Sequence, residues 1–240
     1  MKAQQRHQLK QNEFVATVQT VSTWLSENRG PVVRIGGAIL VVIAIAGGYW
    51  LWRKHTNDQA GSWLGIAMAI YEAPVVPPPS VAGAKQPPNT YPTERARSEA
   101  ALAAFQEVEN RYPSSSAALA ARSESGSILL TLGRFDEAEK TYQGIVSDAP
   151  NSLYAPAARM GIAEAESGQK QFDKAISMLT DLAAQRDGAL PVDGVLMELA
   201  RTCLKAGKTQ DAKAAFKRVV DEFQQSPYTT EAQQQLTKLG

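Results

Sequence analysis

The feature that most limits how this chain can fold is a pattern that returns every 37 residues. A small residue stands at Ala101, Ala138, Ala175 and Ala212, a large one four places on at Phe105, Tyr142, Leu179 and Phe216, and an aliphatic three further at Val108, Ile145, Leu182 and Val219. Twelve residues before the small one, the last three units carry another small residue, Gly126, Ala163 and Ala200. Spacings of four and three mark one helix face, and small residues mark where a neighbouring helix approaches closely. Turn-prone letters separate the two helices of each unit: "GRFDEA" at Gly133, "QKQFDKA" at Gln169 and "AGKTQDA" at Ala206. A helix pair of this kind cannot bury its own face and must stack on the next, so the expected fold is an all-α solenoid.

Three full units run from about Ser114 to Phe223. An incomplete one has its second helix at Glu94 to Arg111 and its first at Gln59 to Ala73, split by the proline-rich insertion 74–92. Tyr228 to Leu239 repeats the start of a unit with more polar letters and reads as a terminal capping helix, 228–239.

Ahead of the repeats lies "IGGAILVVIAIAGGYWLW", Ile35 to Trp52, eighteen uncharged residues bounded by Arg34 and by Arg53-Lys54. A helix of that length, extended by Val32 and Val33, covers the hydrocarbon core of about 30 Å, and Tyr49, Trp50 and Trp52 gather where aromatic rings favour the headgroups. The long leader and the basic residues after the apolar run argue against a cleaved signal peptide. The expected organisation is a head at 1–31, a single transmembrane helix at 32–54 and a repeat domain at 55–240. Lys2, Arg6, Lys10, Arg29 and Arg34 precede the span, which places the N-terminus in the cytoplasm and the repeats outside it. Within the span, Gly37, Ala44 and Gly48 share one stripe with Val41, which either packs another membrane helix or reflects how common glycine is in such helices. Phe14, Val18, Val21 and Leu25 in the head predict a short amphipathic helix ending near Gly30-Pro31.

Charge and chemistry exclude several classes of function. The formal net charge is +1, with 25 basic and 24 acidic side chains; residues 1–52 hold five against two and the remainder 20 against 22, which is no nucleic-acid footprint. Cys203 is the only cysteine, and His7 and His55 lie on opposite sides of the span. A histidine-based triad, a conventional zinc site and a phosphate-binding loop are therefore missing, so neither an enzyme nor a cofactor is expected. Cys203, among Leu199, Ala200 and Leu204, reads as a buried thiol.

The small-residue and aromatic pattern, with Pro113 and Pro150 after two of the second helices, resembles the tetratricopeptide repeat. The third and fourth positions of that proline are Asp187 and Gln224, and the period is about three residues longer than the family's usual one. The resemblance implies a protein-binding solenoid whose concave side is lined by first-helix residues outside the repeat signature. Counted from the small residues, the groove candidates are Ser123, Ser127 and Leu130, then Met160, Glu164 and Ser167, then Met197, Arg201, Leu204 and Lys205. Met160 and Met197 either offer adaptable apolar contacts there or pack between repeats. The lysine and asparagine clamp that some relatives close on a terminal carboxylate is replaced by Ser123, Ser127, Gly161, Gly194 and Glu198.

The whole layout, together with "VSTWLSENRG" before the span, is similar to the YfgM-like ancillary subunits of the bacterial SecYEG translocon. That resemblance implies a single-pass protein of the bacterial inner membrane with a periplasmic repeat domain, whose partners are translocon subunits, a periplasmic chaperone or exported clients. "NRYPSSSAALAAR" also resembles repeats of envelope-assembly proteins, and a self-oligomerising scaffold would use the same surfaces.

Overall fold

A computed structural model of the chain describes residues 29–78, 85–185 and 188–240. The amphipathic helix expected at Phe14 to Leu25 lies outside the described residues. The chain divides into two units, Met1–His55 and Thr56–Gly240. Among the described residues all regular elements are helices: α1 (Arg29–Tyr71), α2 (Glu94–Arg111), α3 (Ser116–Thr131), α4 (Phe135–Asp148), α5 (Ala155–Gly168), α6 (Phe172–Ala184), α7 (Val192–Lys205), α8 (Thr209–Glu222) and α9 (Thr229–Leu239).

In the first unit, the described residues belong to the start of α1. Ile39, Leu40, Val41, Val42, Ile43 and Ile45 are all exposed, and so are Tyr49, Trp50 and Trp52. Gly37 to Tyr71 is the one segment among the described residues long and apolar enough to cross a membrane, and none of its most apolar stretch is buried. Over Ile39 to Trp52 the described side chains are apolar around the whole helix.

The second unit is a succession of helix pairs, α3/α4, α5/α6 and α7/α8, in which each second helix also packs on the first helix of the next pair. Its core is the 37-residue signature. Ala101, Ala138, Ala175 and Ala212 are fully buried, as are Phe105, Leu179 and Phe216 and, behind them, Val108, Ile145 and Val219. Each large apolar side chain so placed contributes about 1.5–3 kcal/mol relative to exposure. In the incomplete pair, Ala60 and Ala67 of α1 are buried with Ala101, Phe105 and Val108 of α2, and Tyr71 meets Phe105 edge-on at 6.2 Å between ring centroids. Arg111 stacks over the Trp63 ring at 4.6 Å, covering the outer side of the same pair.

Three turns inside the pairs are built alike. Gly133, Lys170 and Gly207, again 37 apart, all have left-handed backbone, with φ of 72°, 65° and 74°. In each, the residue after the left-handed one donates its N–H to a carbonyl five back: Arg134 to Leu129 at 2.9 Å, Gln171 to Glu166 at 2.8 Å, Lys208 to Cys203 at 2.8 Å. This closes the carbonyl end of the first helix and starts the second. Elsewhere Thr93 caps α2 through Ala96 N–H at 3.1 Å and Ser115 caps α3 through Ala118 N–H at 3.0 Å. The ends of the proline-rich insertion are tied together, Val76 N–H to the Tyr91 carbonyl at 2.9 Å and Tyr91 N–H to the Pro74 carbonyl at 3.0 Å, with the Gln86 amide donating to the Val76 carbonyl.

Candidate protein-binding groove

The first helices of the pairs pack on one another, α3 on α5 and α5 on α7, while no second helix packs comparably on the next second helix. The layer whose members lie closer together is the inner side of a curved stack, so α3, α5 and α7 line the concave face. On each of them the stripe turned away from the second helices is half-buried rather than core: Ser123, Glu124 and Ser127 on α3, Met160 and Glu164 on α5, Arg201 on α7.

The floor between α3 and α5 is made by a residue from behind. Tyr142, on α4, is only 6% exposed, and its ring slides between the two inner helices where both lack a side chain. A Cβ at Gly126 would lie 2.5 Å from the ring and one at Gly161 only 2.3 Å from it. Two glycines on two helices are therefore fitted to one tyrosine. Burial pushes the phenol above its ordinary range, and the charges of Glu164 and Glu124 push it further, which sets the hydroxyl within the field of both carboxylates.

Electrostatics along this floor are dominated by desolvation. Burial raises Glu164 to about 7, the nearby Glu198 adds to the rise, and Lys205 and Arg201 oppose it. Burial likewise raises Glu124 and Glu198, the latter against opposition from Lys205 and Arg201. Arg201 is already committed: its Nη2 donates to both carboxylate oxygens of Glu231 on α9, at 2.8 and 3.0 Å, and its Nη1 lies 3.8 Å from Glu198. The α9 helix is thereby pinned at the end of the groove, where the Tyr228 ring also meets Gly194.

The residues named from sequence are distributed unequally. Glu164, Met160 and Arg201 lie on the inner stripe, and Lys205 is exposed at the end of α7. Leu130 and Leu204 are half-buried against the core clusters and offer only an edge. Ser123 and Ser127 are half-buried on α3, whereas Ser167 is buried. Met197 is a correction: at 1% exposure it is part of the core between α7 and its neighbours and cannot touch a ligand. Glu124, Tyr142 and Glu198 were missed. The signal for Tyr142 was available in the paired glycines at 126 and 161, and Glu124 and Glu198 occupy the repeat position that Gly161 leaves empty. On α1, Gly37, Ala44 and Gly48 are exposed, and nothing lies within 4 Å of where a Cβ on either glycine would be. Among the described residues no group of three His, Cys, Asp or Glu side chains is placed to hold a metal ion.

Comparison with known proteins adds the fold's lineage. The tetratricopeptide repeat-like domain family matches residues 23–240. No curated protein sequence matches the chain. Among solved structures, the nearly identical TPR-like repeats assigned to a kinesin light chain of Podosopora anserina are similar at a TM-score of 0.56 and 15% identity, covering 76% of this chain and 86% of that one. A single-substitution form of the same repeats is similar at a TM-score of 0.54, again at 15% identity, over 76% and 85% of the two chains.

Proposed function

Because this chain belongs to the tetratricopeptide repeat-like domain family, a family of protein-protein interaction modules, we propose that it is a membrane-anchored adaptor that holds partner polypeptides in the groove of α3, α5 and α7. The observation that carries the anchoring is the uncovered, all-round apolar start of α1. The same helix supplies Ala60 and Ala67 to the repeat core, so in sequence the repeats begin soon after the apolar run ends. The bias of basic residues before the span supports a cytoplasmic N-terminus and a periplasmic repeat domain in a bacterial inner membrane. In that setting the module acts as an accessory of the Sec translocon, linking it to a periplasmic chaperone or to exported clients. The partners are proteins; the repeats' near-neutral charge balance gives nucleic acid nothing to hold.

In-cell photocrosslinking tests this. A photoreactive residue at Met160, Glu164 or Arg201 should trap translocon subunits, an exported chaperone or exported clients, and one at the exposed Lys217 of α8 should not. Equal trapping from both faces would remove the groove, and trapping of this chain alone would replace the adaptor with a self-assembling scaffold.

A further inference from the structure

On the outer side of the repeat domain one gap recurs three times, because consecutive second helices stand apart over the first helix between them: α2 and α4 over α3, α4 and α6 over α5, α6 and α8 over α7. The chain fills the first two gaps from within. In the first, Arg122 of α3 reaches both walls: its Nη1 donates to Asp148 of α4 at 2.8 Å and its Nε lies 3.5 Å from Glu109 of α2. The same guanidinium passes 3.5 Å from where a Cβ on Gly144 of α4 would be. In the second gap, Met178 of α6 packs at once against the cluster of Tyr142, Ile145, Ala158 and Ile162 and against the core of the following pair.

The third gap is hollow. Between α6 and α8 lies a cleft of about 350 Å³, walled by Ile176 on α6, by Leu196, Leu199 and Cys203 on α7, and by Ala214 and Ala215 on α8. Counted by the 37-residue period, the residues that fill the earlier gaps have been exchanged: Arg122 becomes Leu196, Glu109 becomes Ala183, Gly144 becomes Arg218 and Met178 becomes Ala215. Leu196 is fully buried, and Arg218 lies along its own helix, donating to Glu222 at 2.7 and 3.4 Å. Neither the crossing cation nor the crossing methionine has a counterpart here.

The lining decides what fits. A cation like Arg122 would lack its acid, since Ala183 stands at the place of Glu109 and Glu222, at the place of Asp148, is taken by Arg218. The Thr180 hydroxyl on the rim is spent on the Ile176 carbonyl at 2.7 Å. An apolar side chain of the kind that fills the second gap is therefore the match. The walls are helices whose backbone groups bond within themselves, so an extended segment would find no main-chain partners in the cleft, whereas a helix brings its own. From Asp211 to Arg218 the cleft runs along seven residues of α8, about 10 Å, which seats two side chains one helical turn apart.

We propose that the outer cleft over α7 is a docking site for an amphipathic helix of a partner protein, which inserts two large apolar side chains four residues apart where the chain has replaced Met178 by Ala215. The site is separate from the groove of α3, α5 and α7, and it gives the module a second face for a different partner.

The test uses the full-length chain in lipid nanodiscs, with empty nanodiscs subtracted. The probe is a fluorescein-labelled alanine, lysine and glutamate peptide of roughly eighteen residues, long enough to hold a helix, with two leucines four apart. Its isomer has the leucines two apart, on opposite faces of the helix. Fluorescence anisotropy should show the first peptide bound about tenfold tighter or more. Photo-leucine at the same two positions should label α6, α7 and α8 in mass spectra of the digested protein.

Ala215→Met, which restores the side chain of the second gap, should remove the difference between the peptides. Ala214→Lys should remove it too, by placing over the cleft the residue that the first gap carries at Lys140, and because Ala214 is exposed this variant decides the matter if Ala215→Met melts lower by circular dichroism. Ser177→Lys, the equivalent change over the filled second gap, should leave the difference intact. Equal binding of the two isomers, binding of neither, a preference that survives Ala214→Lys, or label confined to other helices overturns the proposal. Each of these outcomes leaves the inner groove to the crosslinking experiment, which reads a different face.

Discussion

Substituting Gly161 by alanine should destabilise the repeat domain, although alanine is the better helix former. The new Cβ would lie 2.3 Å from the Tyr142 ring, well short of ordinary carbon contact at about 3.5–4.0 Å. The ring cannot retreat by that amount, because the backbone of Gly126 on α3 closes its other side, where a Cβ would be 2.5 Å away. Overpacking of a clamped aromatic ring costs about 3 kcal/mol, the upper end of its usual range. Replacing glycine in a helix interior returns about 1 kcal/mol. The net loss is about 2 kcal/mol, which for a domain of this size lowers Tm by roughly 4–8 °C.

The control is the third pair, which holds Leu179 where the second holds Tyr142. In a Tyr142→Leu background the clash disappears and Gly161→Ala should become stabilising by up to about 1 kcal/mol. The two substitutions are therefore coupled by about 3 kcal/mol, measured as a double-mutant cycle of thermal melts followed by circular dichroism. A neutral or stabilising Gly161→Ala in the unmodified protein, or the same effect in both backgrounds, would refute the fitted ring and with it the placement of the phenol in the groove.

Three further outcomes follow. Lys170 holds at φ 65° the backbone that glycine adopts at the two equivalent turns, so Lys170→Gly should stabilise by about 0.5–1 kcal/mol, seen as a Tm higher by roughly 1–4 °C, whereas Gly133→Ala and Gly207→Ala should each lower it. Glu164 binds its proton more tightly folded than unfolded, so its contribution to stability is lost as pH rises from about 4.5 to about 7; Glu164→Gln should raise Tm at about pH 8 by roughly 2–8 °C, corresponding to about 1–2 kcal/mol after solvent screening, and change little at about pH 4. The Cys203 thiol is 1% exposed and burial pushes its pKa up, so a maleimide should label it about a hundredfold more slowly in the native protein than in denaturant.

What sequence periodicity can see is set by what the period encodes. The residues at 101, 138, 175 and 212 and their partners four and seven places on are buried because they carry the stacking, and stacking is what repeats; from them the helix pairs, their order and the inner face can all be derived. The groove is legible only by subtraction, as what remains on the first helices once the core is removed. Subtraction placed Glu164 and Arg201 on the inner stripe but could not exclude Met197, which stands about one helical turn before Arg201 and is nonetheless 1% exposed. Nor could it find Tyr142. That residue carries the repeat signature and belongs to the core by every periodic criterion, yet the absence of side chains at Gly126 and Gly161 lets its ring reach through to the other face.

The same geometry binds stability to recognition. Most groove residues of a solenoid are free of structural duty, which allows them to be exchanged without cost to the fold. Here the floor is a core residue, Tyr142, and Glu124 and Glu164, on the two helices that grip it, are half-buried. The Glu164 charge costs stability at about pH 8, because burial outweighs what Lys205 and Arg201 return to it, so a groove residue here carries a structural penalty. In the Glu164→Gln protein the stability at about pH 8 should be higher, with little difference at about pH 4. A Glu164→Gln protein no more stable than the unmodified one at about pH 8 would remove the desolvated carboxylate from the groove floor.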